Sequence, residues 1–324
     1  MNRRSFIALL GGAAALPLAA RAQRGGKVYR VGILEPIPAV RNAANLEALR
    51  KGLRDLGYFE GKNLALEYRS ADGRAERFPD LASELVGLNV DLILTRGTPA
   101  TTAAQNATGT IPVVMMTMGG PGALVASFAR PTGNITGVIT FSTELSAKRV
   151  EVLKELLPSL TRVALLHNMG NPAVPAEWDE TKTAARSLGL EAELLDVRSE
   201  GDLSRAFELV IRQRVDGLVV GADGLTQMYQ QMIVEWVARN RVPTVFPARE
   251  FVEAGGLIAY AVNYPDLYFQ LAAFIDKIFK GANPSELPVQ QPTKFELSIN
   301  LRTANALGLE IPPMLLARAD KVIE

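Results

Sequence analysis

Val28-Tyr29-Arg30-Val31-Gly32-Ile33-Leu34 and Thr161-Arg162-Val163-Ala164-Leu165-Leu166-His167 are two apolar runs of one design, each reading as a buried strand ahead of a helical pattern. After the first, Leu46, Leu49, Leu53 and Leu56 recur at helical spacing until Gly57 stops them. After the second, a helical stretch over 186–190 stops in the same way at Gly189. The correspondence continues down the chain. ALEYRS (65–70) is answered by AELLDVRS (192–199). Val90-Asp91-Leu92-Ile93-Leu94 is answered by Val215-Asp216-Gly217-Leu218-Val219-Val220, and Ile111-Pro112-Val113-Val114 by Val242-Pro243-Thr244-Val245. Each pair is offset by roughly 130 residues, about the size of one domain. Five pairs in one order imply a duplicated βαβαβ unit, and strands alternating with helices imply parallel sheets covered by helices. The expected fold is α/β, with two doubly wound Rossmann-like lobes.

The rest of the chain does not make a third unit. Leu267, Leu271, Phe274, Ile275 and Ile278 mark one more helix, closed by Gly281. A stretch punctuated by Pro284, Pro288 and Pro292 leads to a strand over 295–300, and short helices are expected around 303–307 and 313–323. These pieces read as returns that complete each lobe. The chain would cross between lobes near 141–143, 259–264 and 285–291, a three-stranded hinge. The first lobe would comprise 28–141 plus 262–284, and the second 142–261 plus 285–324.

Composition narrows the chemistry. In 324 residues there are 35 Lys+Arg against 34 Asp+Glu, one His and no Cys. The charge balance argues against nucleic acid as a partner. Without cysteine, thiolate metal sites, disulfides and cysteine nucleophiles are excluded, and one histidine excludes multi-His metal sites. No metal or cofactor is expected. Residues 1–22 have the parts of an export signal: Arg3 and Arg4, an apolar run from Phe6, and Ala20-Arg21-Ala22 as a cleavage site. The paired arginines before Ser5-Phe6-Ile7 resemble a twin-arginine signal. Cleavage after Ala22 would leave 32 basic and 34 acidic residues, a net charge of −2. The expected destination is the periplasm.

Ligands of open parallel α/β sheets sit beyond the carboxyl ends of the strands, so candidate site residues follow from position. In the first lobe, Glu35 follows the first strand, and Arg96-Gly97-Thr98-Pro99-Ala100 follows the third. Gly97 allows a turn, Thr98 suits an N-cap and Pro99 the first helical position, and a helix start of this kind favours an anion such as a carboxylate. Met116, Thr117, Met118 and Gly119 follow the fourth strand. They match no phosphate-binding glycine pattern. The equivalent second-lobe ends carry His167, Asn168, Asp223 and Phe246, with Arg249 behind. Tyr264 lies at the second crossing. Asp91 and Asp216 sit at strand entries, on the opposite edge, and read as structural. With no GxSxG elbow, no residue is assigned a catalytic role.

Three stretches carry a family resemblance: LGYFEGKNL (56–64), FARPTGNITG (128–137), and the tail with LPVQQPTKFEL (287–297), IPP (311–313) and ADKVIE (319–324). Over nearly all of 28–324 the chain resembles the ABC transporter substrate-binding proteins that include tryptophan- and other aromatic amino-acid-binding members, with the type I periplasmic binding fold. The resemblance implies capture of a small solute between two lobes and delivery to an inner-membrane permease driven by an ATPase, by a protein acting as a monomer and not as an enzyme. It also implies a carboxylate held at Gly97-Thr98-Pro99-Ala100. Family members commonly carry an aspartate where this chain reads Gly119-Gly120-Pro121-Gly122-Ala123-Leu124, which leaves the ligand open between an amino acid and an aromatic or branched organic acid. A periplasmic ligand sensor for a membrane receptor is the alternative, and an exported α/β enzyme the remoter one.

Overall fold

The computed structural model describes residues 27–118, 124–125, 127–131, 133–140 and 142–324. The export signal and Gly119 therefore lie outside the described residues. The first lobe contains strands β1 (Tyr29–Glu35), β2 (Leu64–Ser70), β3 (Leu92–Arg96), β4 (Val113–Thr117) and β5 (Ile135–Ile139), with helices α1 (Ala43–Asp55), α2 (Phe78–Gly87) and α3 (Thr98–Ala107). All five strands are parallel, in the order β2-β1-β3-β4-β5. The second lobe begins with α4 (Ser142–Leu156), β6 (Arg162–His167), α5 (Val174–Ser187), β7 (Glu191–Asp196), α6 (Glu200–Gln213) and β8 (Gly217–Val220). It continues through α7 (Gly224–Met228), α8 (Gln230–Arg239), β9 (Thr244–Phe246), α9 (Arg249–Glu253) and β10 (Ile258–Val262). After α10 (Tyr264–Phe279) come β11 (Phe295–Asn300), α11 (Leu301–Leu307), α12 (Pro313–Ala317) and β12 (Lys321–Ile323). The second sheet has the order β12-β11-β10-β9-β8-β6-β7, so β6 to β10 repeat the arrangement of β1 to β5. Its β10–β11 pairing is antiparallel, and β12 pairs parallel with β11, so both of these strands run opposite to the other five.

The duplication extends to single hydrogen bonds. Asp91 Oδ2 accepts from the Arg30 N–H at 2.8 Å while the Asp91 N–H donates to Arg30 O. Asp216 Oδ2 accepts from the Thr161 and Arg162 N–H groups, and its own N–H donates to Arg162 O. Each aspartate clips the entry of its lobe's first strand to a neighbour. Gly57 and Gly189 both adopt positive φ, at 91° and 71°, where their helices end.

Two elements differ from expectation. The first sheet gains β5, a short Ile-Thr-Gly-Val-Ile segment whose apolar run is broken by Thr136 and Gly137. The expected terminal helix stops at Ala317, and residues 321–323 instead add β12 to β11, because Asp320 N–H bonds to Leu297 O and commits the chain to the sheet edge. The late helix α10 returns to the first lobe and packs on α1, burying Leu271 and Ile275 against Leu49 and Leu53. Tyr29 stacks on Phe279 at 4.0 Å, and Tyr58 OH donates to Asp276 at 3.0 Å. The stay there lasts beyond residue 285: Val289 is buried in the first-lobe core, and Gln290 N–H bonds to Gly137 O.

Candidate functional site

The carboxyl ends of both sheets face one crevice lined by residues of both lobes, the place where ligands of such sheets bind. On the first lobe its wall includes Pro36, Phe78, Arg96, Pro99, Met116 and Met118. On the second it includes Asn168, Asn171, Asp223, Leu225 and Gln227, with Tyr264 of α10 at the junction. The lining is mainly apolar, with its charge concentrated at two points.

One of these is the start of α3. Gly97 has φ 89°, a left-handed geometry that glycine tolerates and that turns the chain straight from β3 into the helix. The local hydroxyls are used internally: Thr95 with Thr101 at 2.8 Å, and Thr98 with Thr117 at 2.7 Å. No side chain caps α3, so its first N–H groups are left for a ligand at the cleft wall. Beside them Arg96 is buried, with its guanidinium 4.3 Å from the Tyr264 ring centre. Among the described residues it makes one hydrogen bond, a long one of 3.4 Å to Asn42 Oδ1, and its Nη1 lies 4.0 Å from Glu35 Oε2. A buried guanidinium with five donors and so few acceptors is prepared for an anion.

Glu35 lies beneath it, fully buried, with Oε1 accepting from Tyr268 OH and Oε2 without a hydrogen-bond partner. Burial pushes its carboxyl up to about 7, opposed by the Arg96 charge and by the hydrogen bond from Tyr268.

The second point is Asp223, at the start of α7. Its Oδ1 accepts from Leu225 N–H at 2.9 Å and Asn168 Nδ2 at 3.0 Å, and its Oδ2 from Asn171 Nδ2 at 2.9 Å. In return Thr226 Oγ1 accepts from the Asp223 N–H at 3.3 Å, which completes the cap. Oδ2 therefore keeps one lone-pair direction for a donor. The two walls touch. A Cβ placed on Gly224 would fall 2.4 Å from Pro36 Cβ, and the Arg41 guanidinium donates to Met228 O. This is a closed arrangement of the lobes.

Of the residues expected from sequence, Arg96, Gly97, Pro99, Met116, Thr117, Met118, Asn168, Asp223 and Tyr264 line the crevice. Six others do not. Glu35 supports Arg96 from below, Thr98 bonds to Thr117, and Ala100 is core. His167 is buried against Gly221 and held neutral, its pKa pushed down to about 4 by burial and by Arg149. Phe246 is fully buried and stacks on Phe251 at 5.1 Å. Arg249 pairs with Glu253 at 3.3 Å and Glu296 at 3.7 Å. Phe78, Asn171 and Gln227 were not foreseen: Phe78 follows β2 by a loop, and Asn171 and Gln227 lie one turn past the strand-end residues that were. Among the described residues no cluster of three potential metal ligands occurs, and no helix is long and apolar enough to cross a membrane.

Residues 30–323 match the family described as ABC transporter substrate binding protein. The tyrosine-binding protein of Clostridioides difficile (strain R20291) is 25% identical over 263 residues, 80% of this chain and 75% of that one. A conserved domain protein from Vibrio cholerae O1 biovar El Tor strain N16961 superposes with a TM-score of 0.84 at 26% identity, covering 91% of this chain and 100% of that one. An ABC domain from Streptococcus pneumoniae in complex with L-Trp superposes with a TM-score of 0.83 at 25% identity, covering 92% of this chain and 100% of that one.

Proposed function

Since the chain belongs to the ABC transporter substrate binding protein family, we propose that it is the exported solute-binding component of an importer, closing on an aromatic amino acid or a related aromatic or branched organic acid. The observation that carries this reading is the apolar crevice with Arg96 and the uncapped start of α3 on one wall and Asp223 on the other. The carboxylate lies on Arg96 and the α3 N–H groups. The hydrocarbon body lies against Phe78, Met116, Met118 and Leu225, and Asp223 Oδ2 accepts from a donor at its far end. The similarity to proteins named for tyrosine and L-Trp supports an aromatic ligand.

Contact with both walls is what makes binding favour the closed form. The chain is exported through its signal at residues 1–22 by the twin-arginine route, works as a monomer in the periplasm, and hands its solute to an inner-membrane permease with its ATPase. The lobes comprise 28–141 with 262–290, and 142–261 with 291–324, and the three connections between them form the hinge.

The test is a melting-temperature and calorimetric screen of L-tryptophan, L-tyrosine, L-phenylalanine and their arylpropionate and branched-acid counterparts. A ligand at a hundredfold excess over its Kd stabilises by about 2.7 kcal/mol, an easily read shift. Failure of every member to stabilise the protein overturns the ligand class. Unchanged uptake of the bound solute in cells lacking this chain overturns the importer role.

A further inference from the structure

An acid held in the crevice would put Arg96 between two carboxylates. On one side the guanidinium lines the binding space, and on the other it meets Glu35, which does not line that space. Arg96 of β3 is the one ion-pair partner of Glu35 among the described residues, at 4.0 Å. From α10, Tyr268 OH donates to Glu35 Oε1, and the Tyr264 ring lies under the guanidinium. From β2, Tyr68 stands within the field of the Glu35 charge and donates its own OH to Ile37 O at 2.7 Å. Two further acids bear on the cluster from its rim, Glu250 of α9 on Arg96 and Asp72 on Tyr68. Burial raises the Tyr68 and Tyr268 phenols far above neutral pH, and a guanidinium does not lose its charge. Glu35 is the group at the centre of this cluster whose charge changes near neutrality.

The charged form of Glu35 leans on Arg96. Its Oε2 is buried with no hydrogen-bond partner, and Tyr268 serves the other oxygen alone. A ligand carboxylate takes the same guanidinium through charge-assisted hydrogen bonds at shorter range. Two carboxylates sharing one cation cannot both ionise freely, and the buried one gives way. We propose that Glu35 is a proton-binding site of the solute complex: an acid settling on Arg96 is accompanied by one proton from the medium, which forms an O–H bond on the Glu35 carboxylate. An anion and a proton enter together, so the buried cluster keeps its net charge. The inference rests on the ligand class proposed above and adds to it the charge state in which the acid is held.

The direction of the pH dependence follows. In the free protein burial holds the Glu35 carboxyl at about 7, against the Arg96 charge, and a second anion on Arg96 raises it further. At pH 6 the proton is already in place, whereas at pH 8 it has to be taken up on binding. Affinity is therefore greatest below about pH 7 and falls as the pH rises through it. The group to be separated from Glu35 is Glu177, which burial also raises to about 7, against the Ser146 hydrogen bond and the Arg149 charge, with Asp223 of the crevice wall acting on it.

The experiment titrates the wild type, Glu35→Gln and Glu177→Gln with L-tryptophan, L-tyrosine, L-phenylalanine and their arylpropionate counterparts by calorimetry. Measurements at pH 6 and pH 8, in two buffers of different ionisation enthalpy, read proton uptake directly. For each acid that binds, the wild type is expected to take up most of a proton at pH 8 and almost none at pH 6, and to bind about fivefold or more tightly at pH 6. Glu35→Gln is expected to abolish the uptake and to reduce the pH effect to about twofold or less, while Glu177→Gln keeps both. Tyr268→Phe removes a hydrogen bond that favours the charged form of Glu35, and should move the uptake to higher pH. It keeps the test open where Glu35→Gln fails to fold, a case that melting temperatures identify. Binding without uptake at pH 8, uptake that survives in folded Glu35→Gln, or a pH window that Tyr268→Phe leaves in place overturns the proton site and leaves the ligand class standing. Failure of every acid to bind overturns the ligand class and the proton site with it.

Discussion

Glu35 is a carboxyl group with little to support its charge: it is fully buried, one oxygen is without a partner, and the nearest cation is 4.0 Å away. With its folded pKa pushed up to about 7, above the unfolded value of about 4.3, the stabilisation from its protonated form is fully present below about pH 4. It is lost as the pH rises through about 7. Glu35→Gln removes the ionisation, so urea unfolding at pH 5 and pH 8 should show the variant gaining about 2 kcal/mol on the wild type between them. Glu177, also raised to about 7 by burial against the opposing Ser146 bond and Arg149 charge, gives both proteins the same background. An equal difference at the two pH values would mean that Glu35 holds one protonation state throughout. The strand-end position of Glu35 was legible in the sequence. Its role was not, because Tyr268, which bonds to it, lies 233 residues away.

At the level of elements, strands with strong apolar runs and helices with clean stops were readable, because burial and termination are local properties of the chain. The strand over 295–300 has the predicted bounds. The misses are elements whose stability comes from elsewhere. Residues 321–323 make a strand because the edge of β11 is open to them, and β5 is held from outside by Gln290, which bonds to Gly137 and Ile139. Helix α10 was visible as a helix, while its allegiance to α1 is a tertiary fact. That allegiance has a consequence for folding: the first lobe is incomplete until the chain has already built most of the second. Leu271 is fully buried in the α1–α10 contact, and Leu271→Ala should cost about 3 kcal/mol. Because the helix is supplied from beyond the second lobe's strands, tryptophan fluorescence, which reports the second lobe through Trp178 and Trp236, and far-UV circular dichroism, which reports both lobes, should show one shared, lowered urea midpoint. A midpoint that falls for one lobe alone would mean that the lobes unfold independently.

For the whole molecule, the duplicated sheet explains why the crevice exists: two copies of one unit present the same edge to each other, and the strand ends meet. What the repeat does not specify is how far the lobes close, and that is set by contacts that belong to neither copy alone. The tightest is Gly224 against Pro36, where an added Cβ would overlap its counterpart at 2.4 Å. Nothing within either lobe forbids a side chain at this position, because Gly224 begins α7 in ordinary helical backbone. Gly224→Ala should therefore leave the melting temperature of the unliganded protein within about 1 °C, as expected of a substitution that removes neither a core side chain nor the Asp223 cap. It should at the same time prop the closed state open. Since binding is coupled to closure, the cost of an imperfect fit falls on affinity, about tenfold for 1.4 kcal/mol. Small-angle scattering should show a radius of gyration that contracts on adding ligand to the wild type and contracts less for the variant. Removing the opposing methylene with Pro36→Gly in the same chain should restore both the contraction and part of the affinity, because the two positions act through one contact. Unimpaired contraction in Gly224→Ala would mean that the lobes close on a different set of contacts, and that the width of the crevice is set at the hinge.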